Sequence, residues 1–205
     1  SSQSRGLGDV YKRQHIDITS FDSTKIIQSM EKMSFVSRET ANAAKIFNDM
    51  INDKNCTIFL TLAGSTSAAG CMNIYKDLVK FNMVDAIVAT GASIIDMDFF
   101  EALGFKHYQG SQFQDDTELR KNYIDRIYDT YIDEDELQIC DKKICEIADD
   151  LEPKSYTSRE FIHEMGKYLK KNSKKKESLI ETAYDYNVPI FCPAFTCLLY
   201  TSDAA

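Results

Sequence analysis

The chain has 205 residues, with 24 Lys and Arg against 32 Asp and Glu for a formal net charge of −8, and it is 43% hydrophobic and 27% charged. That is enough chain to bury one core without disulfide or metal staples, and it is too apolar for a disordered protein. The acidic balance argues against a nucleic-acid partner, which clustered Lys and Arg would have to hold, and suits a cationic ligand.

No apolar run approaches the roughly 20 residues that span a bilayer, and no signal-peptide pattern opens the chain, so a soluble cytoplasmic protein with no membrane partner is expected. Cys56, Cys71, Cys140, Cys145, Cys192 and Cys197 form no CxxC pair and have no His at ligand spacing. They read as reduced, mostly buried thiols, with no metal site.

In chain order, residues 1–14 and 197–205 show neither helical nor strand period and resemble translated sequencing-adapter read-through. Both are set apart as non-native ends, which leaves 15–196 as a single partial domain. Ser37 opens a stretch in which Ala43, Ile46, Phe47, Met50 and Ile51 recur at helical spacing, and CTIFLTLA (56–63) follows as a strand. Cys71, Ile74, Tyr75, Leu78 and Val79 then form a helical stripe leading into MVDAIVAT (83–90), a second strand. Strands apolar throughout belong to parallel sheets covered on both faces, so the fold class is α/β, a parallel sheet with helices on both faces.

A third helix over 94–103 is expected to stop at Gly104, and residues 107–137, polar and rich in tyrosine, read as a loop-rich excursion with one or two short helices. Thr157 and Glu160 predict a capping box for a helix whose apolar face holds Phe161, Ile162, Met165, Tyr168 and Leu169. The basic run KKNSKKK (170–176) reads as a solvated connector, and a helix over 177–186 leads to the strand IFCPAF (190–195).

Ligands of parallel α/β sheets bind beyond the carboxyl ends of the strands, here the turns after Leu62, Thr90 and Phe195. AGSTSAAG (63–70) offers small side chains, hydroxyls and backbone N–H groups at a helix start, as a phosphate requires, although it matches neither GxGxxG nor a P-loop. TGAS (90–93) is again small and polar and is followed by Asp96 and Asp98. Residues two apart do not share a helix face, so both carboxylates can meet one ligand only if Asp96 still lies in the turn. None of His15, His107 and His163 has a partner that points to catalysis, and no nucleophile arrangement is legible.

FNMVDAIVATGASIIDMDFFEALGFKHYQG (81–110), LRKNYIDRIYDTYID (119–133) and NVPIFCPAFT (187–196) resemble the deoxyhypusine synthase family across nearly all of 15–196. The segment IDRIYDTYIDEDEL is similar to relatives whose acceptor is a small amine, as in homospermidine synthesis. The resemblance implies a Rossmann-like NAD-binding fold and a homotetramer with active sites between subunits. It also implies NAD-dependent transfer of an aminobutyl group from spermidine, through an imine on an enzyme lysine, to an acceptor amine or an acceptor protein lysine.

Carried over by position, Gly64, Ser65, Thr66, Ser67 and Ala68 match the family's first NAD-binding loop, and Thr90, Gly91 and Ala92 the second. Asp96 falls near a carboxylate pair that binds spermidine, with Met97 at the second position and Asp98 beside it as a further substrate contact. Cys197 stands where the family has an aspartate that contacts NAD, and no lysine of this chain matches the nucleophile, so no catalytic residue is assigned and the chain is expected to be inactive alone. A non-catalytic NAD or polyamine binding module is the alternative. TGAS also resembles the nucleotide turn of sirtuin deacylases, but the paired CxxC zinc ligands of that family are missing from the sequence.

Overall fold

A computed structural model of the chain describes residues 11–63 and 66–195. Helices α1 (Thr24–Met30) and α2 (Phe35–Asn52) lead into strand β1 (Phe59–Leu62). A π-helical turn, Ser67–Cys71, runs into α3 (Met72–Lys80), which delivers the chain to β2 (Ala86–Ala89). A second π-helical segment, Ala92–Phe99, follows β2 and tightens into α4 (Phe100–Ala102). Gly104 ends this helix as expected, at φ +98° with its N–H on the Glu101 carbonyl at 2.9 Å, a left-handed cap that strains any other residue.

Beyond Gly104 the chain forms β3 (Tyr108–Gln109), α5 (Asp116–Lys121), β4 (Ile124–Ile127) and β5 (Thr130–Asp133). Three further helices, α6 (Glu134–Asp149), α7 (Ser158–Asn172) and α8 (Leu179–Asp185), precede β6 (Ile190–Phe191). The capping box at α7 is present: the Thr157 N–H donates to Glu160 Oε2 at 2.8 Å and the Glu160 N–H to Thr157 Oγ1 at 3.3 Å.

The fold is mixed α/β. Its parallel sheet has the order β1-β2-β6, with Phe59 opposite Ala86 and Leu62 opposite Ala89. The core gathers on β2 and the helix after it, where Ile87, Ile94, Ile95, Phe99 and Phe100 are fully buried against Met165, Leu169, Leu179 and Ile180. Burying a side chain of this size contributes about 1.5–3 kcal/mol. Cover on both faces, expected for each apolar strand, holds for β2 but not for β1, where Phe59 is 58% exposed. The reason is position: β1 is an edge strand among the described residues.

The excursion is also more ordered than expected. Residues 108–133 form an antiparallel sheet of order β3-β5-β4, with its own cluster of Leu119, Ile124 and Tyr131. These strands are two to four residues long, too short for a two-residue alternation to be read from the sequence. Residues 11–14, set apart on sequence grounds, extend this sheet: the Gln109 N–H donates to the Tyr11 carbonyl at 2.7 Å, and the Arg13 N–H to the His107 carbonyl at 2.9 Å. Of the five described cysteines, all free thiols, Cys140 and Cys192 are buried, Cys56 and Cys71 are half-buried and Cys145 is exposed.

Candidate functional site

Parallel pairing brings the carboxyl ends of β1 and β2 level, so the turns that follow them emerge side by side. Gly64 and Ser65 lie outside the described residues. Thr66 is exposed and its Oγ1 accepts from the Tyr75 hydroxyl at 2.7 Å, whereas Ser67 and Ala68 are buried. The Ser67 hydroxyl donates to Ser93 Oγ at 3.4 Å, and the Thr90 hydroxyl approaches the same oxygen at 3.5 Å. The two expected nucleotide turns are therefore in contact. Gly91 is buried, Thr90 and Ala92 half-buried. Gly70 kinks the first turn at φ +109°, where an added Cβ would sit 2.7 Å from the Gln14 carbonyl oxygen.

The first turn is broken at Gly70 before α3 begins, and the second continues as a π-helical segment, wider than an α-helix and frequent at functional sites. Because Asp96 lies within the segment Ala92–Phe99, it and Asp98 face opposite ways, as the two-residue spacing requires. Asp96 borders a cavity of about 1060 Å³ between the helix, α5, β4 and α6, where Asp125, Glu134 and Asp141 add further carboxylates. Burial pushes the Asp96 carboxyl up to about 7, and the charge of Asp141 adds to the shift. Asp125 is likewise pushed up to about 7, by burial and by its hydrogen bond with Glu134. A cation entering this cavity would restore the charged form of these groups.

Asp98, expected beside Asp96 as a substrate contact, is instead committed to the protein's own backbone. It is 1% exposed, and its two carboxylate oxygens accept the Leu179 and Ile180 N–H groups at 2.8 Å each. Burial raises its pKa while those two bonds oppose the rise.

A second polar centre lies at the end of the same helix and was not legible in the sequence. Glu101 Oε1 meets Arg13 Nη2 and, at 2.9 Å, His107 Nδ1, while Oε2 meets His15 Nε2 at 2.6 Å and Lys175 Nζ at 2.5 Å. Burial alone would raise the Glu101 pKa, but the bonds from His107 and His15 and the charge of Lys175 hold it far below the carboxylate range. His107 is moved down by burial, against the pull of Glu101. Lys175 belongs to the basic run read as a solvated connector; it is instead an ion-pair partner. The centre could not be read from the sequence because three of the four partners of Glu101, namely Arg13, His15 and Lys175, lie 74–88 residues away.

Comparison with known proteins agrees with this architecture. A family model described as deoxyhypusine synthase matches residues 25–198, so the chain belongs to the deoxyhypusine synthase family. It is similar to deoxyhypusine synthase-like proteins of Coxiella burnetii (66% identical over 184 residues, 89% of this chain and 52% of the relative) and Caulobacter vibrioides (66% over 183 residues, 89% and 50%). A Methanosarcina acetivorans protein named "probable deoxyhypusine synthase 2" is 35% identical over 181 residues, 88% of this chain and 52% of that one. The chain thus spans about half the length of these curated relatives. The fold is similar to that of an Entamoeba histolytica structure described as a deoxyhypusine synthase, with TM-score 0.57 and 20% identity over 90% of this chain and 63% of the other.

Proposed function

We propose that this chain is the nucleotide-binding part of an enzyme that transfers an aminobutyl group from spermidine or a similar polyamine to an acceptor amine. The observation that carries the reading, together with family membership, is the contact of the turns at 66–68 and 90–92 through Ser67 and Ser93, one helical turn from a carboxylate in an acidic cavity.

The residues present fit NAD. Ser67, Ala68, Gly91 and Ala92 are small enough for a pyrophosphate to reach backbone N–H groups at two helix starts, where the helix dipole favours an anion. Gly64, Ser65, Thr66 and Thr90 complete the set by position in the family pattern. When bound, NAD supplies a hydride acceptor for the carbon beside a substrate amine. Asp96 holds that amine as an ammonium, and the five carboxyl groups of the lining, Asp96, Asp116, Asp125, Glu134 and Asp141, outnumber its three cations, Arg120, Lys121 and Arg126, so the polyamine is drawn in and aligned by charge.

The acceptor is a small amine or a protein lysine, and assembly as a homotetramer in the cytoplasm accords with the family reading. The test is to incubate a protein of the curated relatives' full length, termed the uninterrupted protein below, with NAD and spermidine and follow diaminopropane by mass spectrometry. Release that depends on both reagents supports transfer. Binding of both without release favours a binding module.

A further inference from the structure

Residues 173–181 are held to the site-bearing helix at three points. The Lys174 and Lys175 N–H groups donate to the Ala102 carbonyl at 2.8 and 3.3 Å, and the Lys175 ammonium meets Glu101 at 2.5 Å. The third point is Asp98, on the N–H groups of Leu179 and Ile180. This contact differs in kind, because it is fully buried and uses both oxygens of one carboxylate. It also meets the positive end of α8, where the first N–H groups have no partner inside the helix.

The remaining donors of α8 are served locally. Ser178 Oγ accepts from Glu181 N–H at 3.1 Å, and the Ser178 carbonyl from Thr182 N–H at 2.9 Å. Without Asp98, two buried donors would be orphaned and the start of α8 would be free to shift against the π-helical segment. The N-cap side chain of Ser178 serves the third N–H of the helix and cannot also reach the first, so that donor needs an acceptor from elsewhere. Placing the carboxylate on another helix ties that helix down.

What is tied down is the segment that carries Asp96, two residues earlier on the opposite face. At its other end, α8 leads through Val188 to β6, and the Ile87 N–H of β2 donates to the Pro189 carbonyl at 2.9 Å. We propose that Asp98 is a positioning residue: by anchoring the π-helical segment on α8 it sets the direction of Asp96 into the acidic cavity and the register of the turn after β2 against β6. The inference rests on the reading of Asp96 as the amine-holding group, but its test does not use the transfer reaction.

The test is made on the 205-residue chain, following the Asp96 carboxyl by NMR titration and the Leu179 and Ile180 amides by hydrogen exchange. In Asp98→Asn, both amides should exchange faster, and the Asp96 proton affinity should fall at least tenfold as its surroundings open. Ser178→Ala removes the local cap of α8 and leaves Asp98 alone; it should lower Tm without moving the Asp96 midpoint. Should Asp98→Asn not fold, Leu179→Pro withdraws one of the two donors while Asp98 stays, since proline suits the first position of a helix, and the same displacement is expected.

Faster exchange with an unmoved Asp96 midpoint, in either variant, overturns the proposal and leaves Asp98 a stabiliser only. A displaced midpoint with unaltered spermidine affinity in the uninterrupted protein would count against the amine-holding role of Asp96 and leave the positioning role standing.

Discussion

The hydroxyls of Ser67 and Ser93 meet 3.4 Å apart in a fully buried position, so the first residue of one π-helical turn touches the second residue of the next. Two segments separated by a helix and a strand in the chain are joined by a pair of small side chains. A bulkier residue at either place would part the turns.

Ser93→Ala should therefore cost about 1 kcal/mol, as for a modest buried hydrogen bond, measured by urea denaturation. In the uninterrupted protein it should also weaken NAD severalfold by calorimetric titration. Thr90→Trp, which fills the second turn with an indole, should abolish NAD binding, and unchanged affinity in that variant would remove the turn from the cofactor site.

Asp96→Asn is expected to weaken spermidine about tenfold to a hundredfold, the worth of one charge-assisted hydrogen bond, with NAD affinity nearly intact. Because Asp96 is protonated until about pH 7, spermidine affinity of the native protein should climb between pH 6 and pH 8, and this rise should flatten in the Asn variant. Folding runs the other way. A carboxyl raised from 3.8 to about 7 favours the folded state at low pH and loses that contribution as pH climbs between those values, so Asp96→Asn should gain in Tm relative to native as pH is raised. A pH-independent Tm difference would contradict the burial of this group.

Glu101→Gln leaves Arg13 and Lys175 without their counter-charge, a loss of about 3–5 kcal/mol for a broken buried pair. The sign with pH is opposite to that of Asp96. The pKa of Glu101 is depressed from 4.5, so its contribution is present above that value and wanes as pH falls below it. Denaturation at pH 7 should show the full deficit, and denaturation near pH 3 a smaller one.

On the reading that no lysine of this chain serves as the nucleophile, the 205-residue chain itself should release no diaminopropane from spermidine and NAD. Product detected by mass spectrometry from the purified chain would assign the covalent step to a lysine already present.

How much of this was legible depended on the range of each interaction. The α3 stripe, the Gly104 cap and the Thr157–Glu160 box act over three to eight residues, and all three were readable as sequence patterns. The opposite facing of Asp96 and Asp98 was also implicit in their spacing, although what Asp98 would meet was not, because Leu179 is 81 residues away. Helix α6 was missed: its first turn, Glu134, Asp135 and Glu136 behind the N-cap Asp133, reads as a charge run until the cap is recognised. The short strands β3 to β5 were missed because pairing, rather than propensity, defines them.

Two hydrophobic clusters of very different size imply two unequal resistances to opening. Leu119, Ile124 and Tyr131 are few beside the core around β2, whereas Ile132 of β5 is buried in that larger core with Ile127 of β4 against it, so α5 and the start of β4 should exchange their amide protons through local openings that cost less than global unfolding. Since Asp125 at the start of β4 lines the acidic cavity together with Asp96 of the helix packed in the larger core, the two sides of the cavity should open on different timescales. Amide exchange should renew the Asp125 side of the cavity with solvent well before the Asp96 side opens.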